Sequence, residues 1–242
     1  MLARNHDVGL DARRAPTPPQ VAVIAGWRRR EEGLGQATAR AEAVRLASGG
    51  DWRCSIDVTP STKFLNEITW LGNSGVSTGW NTPGGKEYRP FSNVERNAMA
   101  AFLYRFAGSP AVTLPSKSPF ADVSPSSQFY KEIVWASQQG ISRGWLEKNG
   151  TQTFRPYEPI TRAAMAAFLY RSAGEPAHAN PAVSPFLDIT PSSKFYKEIA
   201  WLADTGITTG WSVSGGKEFR SKNFTHRDAM AAFLYRYDRL VG

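Results

Sequence analysis

Ala98-Met99-Ala100-Ala101-Phe102-Leu103-Tyr104-Arg105 returns letter for letter at 164–171 and again at 229–236. Within it Met99, Phe102 and Leu103 stand at i, i+3 and i+4, the spacing of one apolar helical face. Upstream of each copy the same succession recurs. It opens on an Asp (Asp57, Asp122, Asp188), passes a Trp (Trp70, Trp135, Trp201) and a Gly-Trp pair (Gly79-Trp80, Gly144-Trp145, Gly210-Trp211), and ends on an aromatic-Arg pair (Tyr88-Arg89, Phe154-Arg155, Phe219-Arg220). Trp70, Trp135 and Trp201 lie 65 and 66 residues apart, so one unit is written three times. Units of this size bury too little surface to stand alone, and stacked repeats share a core with their neighbours.

Each unit reads as two helices and a loop. Thr59, Ser124 and Thr190 each precede a Pro, and Phe64, Ile68 and Leu71, like Phe195, Ile199 and Leu202, follow at i, i+4, i+7. A hydroxyl that caps free N–H groups, with Pro in the first turn, predicts a helix start here. Gly75, Gly140 and Gly206 predict its end, because glycine takes the left-handed conformation at no steric cost. The polar stretches 81–87, 146–153 and 212–218 read as surface loops, with the one extra residue of the second unit inside its loop. The expected fold class is therefore all-α, with repeats at 55–108, 119–174 and 185–240 joined by linkers rich in Ala, Gly, Ser and Pro. Residues 1–50 carry Pro16-Thr17-Pro18-Pro19 and Arg28-Arg29-Arg30 but no repeat signature, and are expected to be disordered apart from a short helix over 36–47. Their apolar patch, Val21 to Trp27, is too short for a secretory signal, so no signal peptide is visible.

The formal net charge of +8 suits an anionic partner. Because the excess is spread over three units rather than gathered in one basic run, it argues against nucleic acid. No run approaches the roughly 20 apolar residues of a membrane-spanning helix. Cys54 is the only cysteine, and His6, His178 and His226 share no spacing, so no metal or cofactor site is expected. Glu67, Glu132 and Glu198 recur, yet carboxylates repeated identically three times fit poorly with a glycosidase, which needs two differently tuned acids in one site. No catalytic residue is assigned.

The ordered set Phe120-Ala121-Asp122-Val123, Gly140-Ile141-Ser142-Arg143-Gly144, Thr153-Phe154-Arg155-Pro156 and Ile160-Thr161-Arg162-Ala163-Ala164 resembles the S-layer homology module, and the likeness extends over 55–240. The resemblance implies a pseudo-threefold assembly whose inter-repeat grooves bind secondary cell wall polymers, often pyruvylated, and hold proteins on Gram-positive and some other bacterial surfaces. The family's Thr-Arg-Ala-Glu motif falls on Thr161-Arg162-Ala163-Ala164, and its Arg persists as Arg96 and Arg227. Its Glu is replaced by Ala98, Ala164 and Ala229.

The candidate polysaccharide-binding residues follow. Arg96, Arg162 and Arg227 offer a planar fork of donors at a helix start, where free N–H groups add positive charge. An internal pair with Asp57, Asp122 or Asp188 is the competing role. Trp80, Trp145 and Trp211, set after Gly79, Gly144 and Gly210, could face a sugar ring or plug the module core. The three Asp could bind a ligand hydroxyl or close turns. Taken together, these residues point to a monomeric, non-catalytic anchor at the cell surface that binds an anionic secondary wall polysaccharide or another peptidoglycan-linked polymer. The rivals are the targeting part of a wall hydrolase whose catalytic domain lies outside this chain, and a basic nucleic-acid-binding repeat protein.

Overall fold

The structure, a computed structural model, describes residues 55–241. The expected disorder of 1–50, the short helix over 36–47 and Cys54 all fall outside the described residues. Unit one holds α1 (Leu65–Asn73), β1 (Trp80–Thr82), β2 (Gly85–Glu87) and α2 (Arg96–Phe106). Unit two holds α3 (Tyr130–Gln138), β3 (Trp145–Leu146), β4 (Gln152–Thr153) and α4 (Arg162–Ser172). Unit three holds α5 (Tyr196–Asp204), β5 (Trp211–Val213), β6 (Gly216–Glu218) and α6 (Arg227–Val241).

The chain is not all-α. Each expected polar loop is a two-stranded antiparallel hairpin, with Trp80 opposite Glu87, Trp145 opposite Thr153 and Trp211 opposite Glu218. These strands are two or three residues long, mostly polar and only partly buried, so they lack the apolar alternation by which a half-buried strand is read. The extra residue of unit two sits in its longer hairpin turn, closed by Glu147 N–H donating to Thr151 O at 2.8 Å.

The helix starts also differ from expectation. Thr59, Ser124 and Thr190 cap no helix. Their amides donate to the hydroxyls of Thr62, Ser127 and Ser193 at 2.8, 2.9 and 3.0 Å, closing a separate turn that contains the Pro. The helices begin six residues later, each preceded by a Phe in the left-handed region: Phe64 at φ 61°, Phe129 at φ 61° and Phe195 at φ 63°. A side chain with a Cβ pays for that conformation, so the surroundings hold it there three times over.

The units interlock in a ring. The second helix of each unit packs on the first helix of the next, α2 on α3 and α4 on α5, and α6 closes back on α1. Edge-on aromatic pairs mark these contacts: Tyr104 with Trp135 at 5.5 Å, Tyr170 with Trp201 at 5.4 Å and Tyr235 with Trp70 at 5.4 Å. The helical Trp thus serves inter-unit packing. At the centre three amides form a cycle, with Val94 donating to Thr225 O (2.9 Å), Thr225 to Ile160 O (2.9 Å) and Ile160 to Val94 O (2.8 Å). Met99, Met165 and Met230 are fully buried, each contributing about 1.5–3 kcal/mol by leaving water. Nearby, Phe106 packs on Tyr237, and Ser172 Oγ donates to Tyr237 Oη at 3.0 Å. Phe, Ser and Tyr occupy equivalent positions in the three units and fill one shared space.

Candidate functional site

Asp57, Asp122 and Asp188 bond to the backbone of their own units, while Asp122 and Asp188 stay exposed. Each carboxylate accepts two backbone amides, Asp57 from Tyr88 (2.8 Å) and Arg89 (2.6 Å), Asp122 from Phe154 and Arg155 (both 2.7 Å), and Asp188 from Phe219 and Arg220 (both 2.7 Å). Those bonds clamp Arg89, Arg155 and Arg220 at φ 57–60°, a left-handed kink that sends the chain from the hairpin toward the second helix. For Asp57, partial burial opposes ionisation, but the amides of Tyr88 and Arg89 and the Ser55 hydroxyl outweigh it and lower the pKa.

Arg96, Arg162 and Arg227 begin α2, α4 and α6 and are only 4, 4 and 5% exposed. Each reaches into the following unit of the ring. Arg96 Nε donates to Phe154 O at 2.9 Å, Arg162 Nε to Phe219 O at 2.8 Å and Arg227 Nε to Tyr88 O at 2.7 Å. Among the described residues none forms an ion pair, so the competing role, a pair with Asp57, Asp122 or Asp188, is not made. Desolvation lowers Arg96 to about 9, with attraction from Glu158 opposing, and lowers Arg162 to about 9, with attraction from Asp188 opposing. Both remain charged at neutral pH.

The amides expected to stand free at these helix starts are occupied. Arg96 and Asn97 donate to Glu158 O and Pro156 O, Arg162 and Ala163 to Asn223 O and Ser221 O, and Arg227 and Asp228 to Ser92 O and Pro90 O, at 2.9–3.1 Å. The next unit's loop caps each helix, and the positive charge offered to a ligand is that of the guanidinium.

The Gly-Trp indoles carry these guanidiniums. Arg96 lies 3.9 Å from the ring centre of Trp145, Arg162 4.0 Å from Trp211 and Arg227 4.4 Å from Trp80. Arg155, Arg220 and Arg89 lie over the same rings at 4.7, 4.9 and 4.5 Å. Such contacts are worth about 0.5–2 kcal/mol each, more when desolvated. Gly144 and Gly210, at φ 64° and 66°, allow the close approach: a Cβ would meet Phe120 or Phe186 at 2.6 Å. Gly79, at φ 60°, takes the same conformation.

These parts come together around a groove between units three and one, about 710 Å³ in volume, bounded by Arg162, Trp211, Phe64, Arg236, Lys63 and Lys222. The sequence reading missed two of its recurrent parts. Arg105, Arg171 and Arg236 donate through Nη1 to Val76, Ile141 and Ile207 carbonyls at 3.4, 3.5 and 3.2 Å. They face the left-handed Phe129, Phe195 and Phe64 of the next unit at 5.5, 5.7 and 6.0 Å. The signal was present, since this Arg closes the eight-residue stretch that recurs three times.

A ring of interlocked helix–hairpin–helix units with a cationic groove at a unit boundary defines a repeat-built binding module. The family model described as S-layer homology domain matches residues 119–166 and 185–219, so units two and three carry segments of that domain. Unit one lies outside them, although it carries the same amide-bonded Asp, Gly-Trp pair and buried Arg. S-layer homology domains are non-catalytic modules that attach proteins to the cell wall at the cell surface. No curated protein matches the chain. No helix among the described residues is long and apolar enough to cross a membrane, and none of their His, Cys, Asp and Glu side chains group in threes as metal ligands do.

Proposed function

We propose that this chain holds its protein on the wall of a Gram-positive bacterium by binding an anionic secondary wall polysaccharide in the grooves between units, as a monomer and without catalysis. The carrying observation is a buried guanidinium that has no carboxylate partner and lines a groove, as Arg162 does. A carboxylate or phosphate substituent, such as the pyruvyl group of a pyruvylated sugar, supplies the missing charge and takes two parallel bonds from the fork. In this reading Arg96, Arg162 and Arg227 grip the acid group, and Trp80, Trp145 and Trp211 hold the arginines in place more than they stack on sugar. Gly79, Gly144 and Gly210 admit that packing, and Asp57, Asp122 and Asp188 fix the loop without touching the polymer. The test is a pull-down on purified cell walls before and after their secondary polymer is stripped. Retention on intact walls and release from stripped ones is expected; equal retention on both sinks the proposal.

A further inference from the structure

We infer that the three grooves are unequal, and that the one between units three and one is the principal site, taking a polymer segment that presents at least two acidic groups. This rests on the wall-polymer reading and deepens it.

In the unit three–one groove, Arg162 spends only Nε, on Phe219 O, and its terminal amino groups make no hydrogen bond to the described residues. The equivalent Arg227 has Nη2 already donated to Ser77 Oγ at 3.1 Å. Arg96 keeps its terminal groups free, but Glu158 already attracts it. At the place of Glu158 the three–one groove has Asn223. An incoming anion therefore meets a committed donor at Arg227, whereas the terminal groups of Arg96 and Arg162 make no hydrogen bond among the described residues, each guanidinium being attracted by one carboxylate, Glu158 or Asp188, with which it forms no ion pair.

The rim points the same way. Lys63 and Lys222 line the three–one groove, and both are exposed. The positions equivalent to them are Gln128 and Phe91 for the groove built on unit one, and Lys194 and Tyr157 for that built on unit two. The one acid on the three–one lining, Asp228, turns its Oδ1 to the Ala229 amide at 2.6 Å. Only at this boundary do two lysines stand above an uncommitted buried arginine. One acid group satisfies Arg162, and the lysines call for a second on the same segment; a volume of about 710 Å³ is in the range that encloses a ligand of several rings. Because its walls come from the first and last units, a polymer bound here also ties α6 to α1 and favours the closed ring.

The test compares three double variants on intact and polymer-stripped walls: Lys63→Glu/Lys222→Glu, Gln128→Glu/Phe91→Glu and Lys194→Glu/Tyr157→Glu. All six side chains are exposed, so the fold is not at stake. The first should lose roughly tenfold or more in affinity for intact walls, as expected when charge complementarity is reversed, and the other two less than about threefold. Lys63→Arg/Lys222→Arg should bind like the parent. If all three pairs lose affinity equally, or the first loses none while the parent still discriminates intact from stripped walls, the grooves are equivalent and the inference fails alone. A parent that does not discriminate overturns the wall-polymer reading and this inference with it.

Discussion

Two sets of charged side chains recur at every unit, and the structure treats them oppositely. Asp57, Asp122 and Asp188 each spend both carboxylate oxygens on two adjacent amides of their own unit. Arg96, Arg162 and Arg227 cross to the next unit, bury their stems and bring a cation to a boundary without forming an ion pair among the described residues. Threefold recurrence alone does not separate a structural charge from a binding one. What separates them is where their hydrogen bonds go, to amides of the same unit or to carbonyls of the next. The aspartates fix the loop of their own unit, and the proposed function gives the arginines the partner.

The comparison breaks most visibly if Arg96, Arg162 and Arg227 are all replaced by Gln. Wall retention should be abolished, since each lost charged bond costs about 1.5–3 kcal/mol, or roughly tenfold to a hundredfold in affinity. The midpoint of thermal unfolding should also fall, because the Nε–carbonyl bonds span unit boundaries. Substituting Lys should restore only part of the binding, as an ammonium keeps the charge but not the fork. If the Gln variant is retained as well as the parent, the arginines belong with the aspartates.

The opposite result is expected for Asp122→Ala. Two amides lose their acceptor, one of them part-buried, and stability should drop by about 1–3 kcal/mol, read as a shift in denaturant midpoint. Wall affinity, measured where the variant is still folded, should stay within about twofold of the parent's. A large loss of affinity with unchanged stability would give the aspartate a ligand role.

The pH dependence sharpens the same contrast. Because folding lowers the pKa of Asp57, its stabilising contribution is fully present above the ordinary value of 3.8 and is lost as pH falls through the lower folded value. The difference in melting temperature between the parent and Asp57→Asn should be constant at neutral pH and shrink below about pH 4. A difference that persists at lower pH would assign the effect to something other than the carboxylate's charge.

The smallest effect concerns the glycines. Gly210→Ala combines a positive φ with a clash against Phe186, whereas Gly140→Ala has the positive φ of 70° and open space. The second should cost about 1 kcal/mol and the first clearly more. Equal losses would show that the Gly-Trp approach to Phe186 relaxes freely.

The repeat and the second helix, with Met99, Phe102 and Leu103 on its buried face, were both legible in the sequence. They rest on local periodicity and on recurrence, which survive without coordinates. The hairpins were not legible, because strands of two or three polar residues carry no pattern that a loop lacks. The helix starts were misplaced because Ser/Thr-Pro closes a turn as readily as it caps a helix, and nothing local announces a left-handed Phe64. The destinations of the charges were decided by tertiary structure alone. Arg96 meets Phe154 across 58 residues and Arg227 meets Tyr88 across 139, and only closure of the ring brings either pair together. Local physics wrote the units, and the packing of unit three against unit one made the groove.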